Sequence, residues 1–177
     1  MAPRLSRDYF EKRVVHYITI HQFGQMVFRD STQVSVDDLL WELERISSDR
    51  YSDWYPQKKL ECGESLMLSD GCANPDSYIN IFYQRFWADI LPEFEQISLI
   101  EDDTERLDKM AEFSKKYSSR FITTYASTNI QNDIAESWSA FVLLDKPASS
   151  EASMQKINFF YEFPELLNLR DEIRDEL

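Results

Sequence analysis

The 177-residue chain is 43% hydrophobic and carries four Trp, nine Tyr and twelve Phe, enough apolar material for one domain with a sizeable core. Its formal net charge of -13 excludes nucleic acid as a partner and adhesion to an anionic membrane surface; plain solubility accounts for it. No run is apolar and long enough to span a bilayer, and Met1-Ala2-Pro3-Arg4 does not lead into a signal-peptide core, so any export signal is removed or was never present.

Glycine occurs only three times. Tight turns are therefore few, and the chain reads as mainly α, a single helical domain over residues 1–177. The first helix is predicted from Asp8 to Phe28, with Phe10, Val14, Ile18, His21, Gln25 and Phe28 recurring at three- and four-residue steps as an inward stripe. A shorter helix is predicted over Val34 to Ile46, with Ser35 as cap and Asp37-Asp38 near its positive end. Ser47 to Asn74 reads as a polar, irregular stretch. Pro75-Asp76 then opens a long aromatic helix through Tyr78, Phe82, Phe86 and Ile90. Thr104 to Tyr125 reads as another helix, with Leu107, Met110, Phe113 and Tyr117 inward. Asn129 caps the next, reaching Leu144 before Pro147, and Glu151 to Glu176 reads as two helices broken at Pro164. No convincing period-two strand, internal repeat or interdomain linker is visible.

The only cysteines, Cys62 and Cys72, flank a short glycine-containing loop. Two thiolates alone do not make a zinc knuckle, so a disulfide is the simpler use and free thiols the alternative. Closing so short a loop would stabilise by roughly 3 kcal/mol and would imply maturation in an oxidising compartment.

The polar groups worth weighing are His21, Gln22, Gln25, Tyr125, Asn132, Asp133 and Glu136. Asn132 and Glu136 stand four residues apart on one helix face, while Ile134, Trp138 and Phe141 point to packing. If that helix crosses the first, Glu136 accepts a hydrogen bond from His21 and fixes its tautomer. On spacing alone, a core histidine with a nearby carboxylate explains as much. His16 falls off that face and reads as a rim residue. The aromatics from Tyr78 to Trp87 have core spacing, not that of a cofactor box.

The segment His21-Gln22-Phe23-Gly24-Gln25 has the outline of a zinc-peptidase helix with its chemistry removed. A working H-E-x-x-H places two imidazoles one turn apart, with a carboxylate between them to activate water. Here glutamine stands at both the base and the second ligand position. Neither amide takes a proton from water, and neither is a usual zinc ligand.

The chain resembles a family of secreted bacterial zinc metallopeptidases, related to the gluzincins and to the lethal-factor type of toxin peptidase. The resemblance covers most of the chain. It rests on residues 21–25, on Gly71-Cys72-Ala73-Asn74-Pro75-Asp76-Ser77-Tyr78-Ile79-Asn80, and on Tyr83-Gln84-Arg85-Phe86-Trp87. It continues through Tyr125-Ala126-Ser127-Thr128-Asn129 and Asn132-Asp133-Ile134-Ala135-Glu136-Ser137-Trp138, and ends with Phe159-Phe160-Tyr161-Glu162-Phe163-Pro164-Glu165-Leu166. The resemblance implies that His21 matches the first zinc ligand, Gln22 the general base, Gln25 the second ligand and Asn132 the third. By the same likeness Glu136 is the carboxylate that orients the first histidine, and Tyr125 the tyrosine that stabilises the developing oxyanion. Cys62 and Cys72 match the family's disulfide.

Three of the four residues that matter most are thus replaced by amides, while Glu136 and Tyr125 persist. The expectation is a mainly α, zincin-like catalytic half-domain lacking a substantial N-terminal sheet and catalytically inactive as written. No cofactor is expected, where the parent family uses zinc to hydrolyse peptide bonds. The alternatives are residual or noncanonical metallopeptidase activity, and a protein-interaction or scaffold domain using the former cleft or the acidic Glu42-Glu44 side. The expected partners are a peptide or protein, without nucleic acid or membrane, and the expected form is a secreted monomer.

Overall fold

The computed structural model describes residues 7–36 and 54–177, and these are mainly helical. Among them the helices are α1 (Arg7–Val27), α2 (Trp54–Cys62), α3 (Tyr78–Phe86), α4 (Leu91–Ser98), α5 (Asp103–Lys116), α6 (Ile130–Leu143), α7 (Ala152–Phe159) and α8 (Pro164–Asp175). Three short strands, β1 (Val34–Val36), β2 (Met67–Leu68) and β3 (Gly71–Ala73), form one antiparallel sheet of order β1-β3-β2. The chain divides into two compact units, Val27–Tyr117 and a second made of Met1–Met26 with Ser118–Leu177.

In the unit Val27–Tyr117, a Cys62–Cys72 disulfide joins the end of α2 to the central strand β3 across a Cα separation of 5.3 Å. Gly63, at φ +61°, supplies the left-handed residue that ends α2. Asn80 holds the approach to the hairpin, accepting from Leu66 N at 2.9 Å and donating to Pro75 O at 3.0 Å. Ser77 caps α3 by accepting from Asn80 N, and Asp102 caps α5 by accepting from Glu105 N. Trp87, Phe94, Phe113 and Tyr117 stack successively behind these helices, with ring centroids 4.9–5.6 Å apart along the series.

The other unit is organised around α6. Twelve of its fourteen residues are buried, so it is enclosed on all sides, with Ile134, Trp138 and Phe141 packed as expected. Asn129 caps it, accepting from Asn132 N at 2.7 Å. Trp138 and Phe141 stack on Phe160 from the single 3₁₀ turn that joins α7 to α8. Pro164 opens α8 at its first turn, where the missing N–H costs nothing.

Several expectations are corrected. Strands exist where none were expected, because all three are only two or three residues long and too short to show alternation. Ser35 lies in β1 and does not cap a helix; its hydroxyl donates to Asn74 Oδ1. The rest of that expected helix, with Asp37-Asp38 and Glu42-Glu44, lies outside the described residues. The stretch expected to be irregular holds α2 and the hairpin. The aromatic helix ends at Phe86 and restarts at Leu91, since Pro92 cannot donate into a continuous helix and sits comfortably only in a first turn. The helix expected to reach Tyr125 stops at Lys116, where Ser118 and Ser119 favour turns over helix. In α5 the inward line is Arg106, Met110, Phe113 and Tyr117, which leaves Leu107 69% exposed. In α1, Val14 and Ile18 are likewise exposed, and the buried residues are Ile20, His21 and Gly24, followed by Phe28 just past the helix end. The side chain of Phe10 lies outside what is described.

Candidate functional site

His21, Gln25, Tyr125, Asn132 and Glu136, which are spread over 116 positions of sequence, come together where α1, α6 and the 3₁₀ turn Tyr125–Thr128 meet. The close approach has a specific cause. A Cβ on Gly24 would lie 2.7 Å from Trp138 Cδ1, so only glycine lets α1 come this near to α6. That contact turns α1 so that His21 and Gln25 face Glu136 and Asn132.

The Gln25 amide nitrogen is the hub. It donates to Asn132 Oδ1 at 3.0 Å and lies 3.3 Å from His21 Nε2. With the imidazole proton on Nδ1, beside the Glu136 carboxylate, Nε2 is an acceptor, and the amide's two hydrogens serve both neighbours at once. Asn132 Nδ2 donates on to Thr128 Oγ1 at 2.8 Å, and that hydroxyl donates to Tyr125 O at 2.7 Å. On the other side of the imidazole, Nδ1 lies 3.1 Å from Glu136 Oε1, off the line of a good hydrogen bond. Glu136 is buried and held by two hydroxyl donors, Thr123 Oγ1 at 2.8 Å to Oε2 and Tyr17 OH to Oε1. Burial, followed by this bond and the Glu136 charge, pushes the Tyr17 phenol above its ordinary range and keeps it a donor.

Tyr125 projects into solvent, 52% exposed, with its ring centroid 5.7 Å from that of His21. Gln22 is exposed and makes none of these contacts. His16 is a partly exposed rim residue, as expected. Tyr17, Thr123 and Thr128 were not singled out from the sequence. Tyr17 could have been, since it precedes His21 by one helical turn; the threonines carry no such signal.

A second polar feature lies beside the network. Asp133 and Lys156 form an ion pair between α6 and α7, both essentially without solvent contact, and Lys156 Nζ sits 4.2 Å over the Phe121 ring. Burial pushes the Lys156 ammonium down from its ordinary range, against the upward pull of Asp133. Asp133 was read as a neighbour of the candidate face; Lys156 gave no sequence signal as its partner.

The donor set does not fit a zinc centre. The two lone pairs that would face a cation, on His21 Nε2 and Asn132 Oδ1, are both directed at the Gln25 amide nitrogen. Among the described residues no group of three or more His, Cys, Asp or Glu converges on a metal-sized point. Gln22, Gln25 and Asn132 carry no titratable group, so none of them relays a proton at neutral pH.

No protein-family model, curated protein or solved structure matches this chain. Among the described residues no helix is long and apolar enough to cross a membrane.

Proposed function

We propose that this is a zinc-metallopeptidase-like domain whose catalytic centre is inert, its metal site rebuilt as a hydrogen-bonded amide network. One observation carries the reading: the Gln25 amide nitrogen lies between His21 Nε2 and Asn132 Oδ1, at 3.3 and 3.0 Å, and supplies N–H donors to the atoms that would otherwise face a cation. The physical logic is charge balance. Carboxylates turned inward at these positions would repel one another or take up protons if no metal were present. Amides of similar size remove that cost and preserve the shape, while Glu136 and Tyr125 remain in place around His21. The Cys62–Cys72 disulfide supports maturation in an oxidising compartment, in keeping with a secreted protein.

The test is metal content after purification with added zinc. The wild-type chain is expected to retain no stoichiometric zinc and to cleave no generic peptide library in a chelator-sensitive way. The combined variant Gln25→His with Asn132→Glu is expected to take up an equimolar amount. Tightly held, equimolar zinc on the wild-type chain would overturn the proposal.

A further inference from the structure

Helix α8 commits its arginines to the carbonyl end of α6. Arg170 Nε donates to Phe141 O at 2.7 Å, and Arg174 Nη1 donates to Val142 O and Leu144 O, both at 3.3 Å. The opposite side of α8 faces α1 across a groove of about 340 Å³. Ile20, Leu169, Ile173 and Leu177 give that groove an apolar lining, and its α8 rim carries Glu172 and Glu176, four residues apart and both exposed. The α1 rim, His16 and Thr19, brings no carboxylate. Val15 and Phe23, one turn to either side of Thr19, are exposed and extend the apolar surface along α1. Among the described residues an apolar trough with acid on one rim is thus left open, and Arg170 and Arg174 of α8 are engaged elsewhere.

We propose that this groove docks a basic amphipathic peptide segment of a partner protein, with an apolar anchor in the trough and Lys or Arg side chains against Glu172 and Glu176. Charge selects this occupant. A second copy of the chain would bring a further net charge of -13 to a rim that is already acidic. An anionic lipid surface would meet the same repulsion. The groove shares no residue with the His21 network, so the inference stands whether or not that network is inert.

The probe is a fluorescent Leu/Lys peptide with amphipathic helical spacing, compared by anisotropy with a scrambled Leu/Lys peptide and a Leu/Glu peptide of the same spacing. The ordered Leu/Lys peptide is expected to bind, the scrambled one more weakly, and the Leu/Glu one not at all. Glu172→Lys with Glu176→Lys is expected to weaken binding about threefold or more. Thr19→Trp, which fills the trough without changing charge, is expected to weaken it about tenfold or more. The control pair Glu101→Lys with Asp108→Lys changes net charge by the same amount at residues that do not line the groove, and is expected to shift affinity less than about twofold. These positions are all exposed, and circular dichroism checks that each variant is folded. Equal losses in the rim and control pairs, or no effect of Thr19→Trp, would overturn the proposal. So would a concentration-dependent dimer of the wild-type chain that Thr19→Trp abolishes, because a second copy would then be the occupant.

Discussion

Gly24 decides more than its size suggests. Helix propensity alone favours alanine there by about 1 kcal/mol, but a Cβ would meet the Trp138 ring at 2.7 Å, and Trp138 is fully buried. The clash outweighs the propensity gain. Gly24→Ala is expected to lower stability by about 1–3 kcal/mol, read as a drop in the urea midpoint without a change of slope. Lys156 is the other residue on which much rests. Lys156→Met removes a buried cation from beside the Asp133 carboxylate and is expected to cost about 3–5 kcal/mol. Pairing it with Asp133→Leu removes both charges and is expected to recover most of that loss; a double variant as unstable as the single one would contradict this account. At this scale the sequence was legible wherever residue type alone carried the chemistry. The amides at 22, 25 and 132 could be recognised as non-ligands before any geometry was known. That the Gln25 nitrogen would serve both His21 and Asn132 could not, because it depends on two side chains 107 positions apart.

Among the elements, termini marked by local chemistry were readable, and packing faces were readable only in part. Asn129 capping α6 and Pro164 opening α8 follow from backbone groups within a few residues. On α5 only Leu107 departs from the expected inward line, and on α1 Val14 and Ile18 do while His21 and Phe28 stay buried, because α1 is set by the Gly24–Trp138 contact and α5 by neighbours beyond its own sequence. Alpha4 and α5 are also tied by charge, since Glu93 accepts from Lys116 Nζ at 2.6 Å and Tyr117 OH at 2.8 Å. Those donors, Lys116 first, lower the Glu93 carboxyl below its ordinary 4.5. The unfolded chain therefore binds more protons as pH falls through that range, so the contribution is present above it and lost on acidification. The small stability difference between wild type and Glu93→Gln is expected to shrink on going from about pH 7 to about pH 3. A difference that persists at the acid end would count against the assignment.

For the whole molecule, charge is the dominant long-range quantity. With 19 basic and 32 acidic residues, the folded chain carries like charge in a smaller volume than the unfolded one. Raising ionic strength to about 0.15 M, where the screening length is about 8 Å, is expected to raise the thermal midpoint, although individual surface ion pairs weaken. A falling midpoint would mean that those pairs outweigh the net repulsion. Composition and local pattern were enough to settle a mainly helical chain, its acidity, the amide chemistry at positions 22, 25 and 132 and the cysteines available to pair, because each is a property of residue type or of neighbours within a turn or two. Folding in three dimensions decided the short sheet, the Asp133–Lys156 pair, the turn of α1 toward α6 and the open groove beside α8. Each of these depends on which distant surfaces meet, and the energy of that meeting is written in no single stretch of the chain.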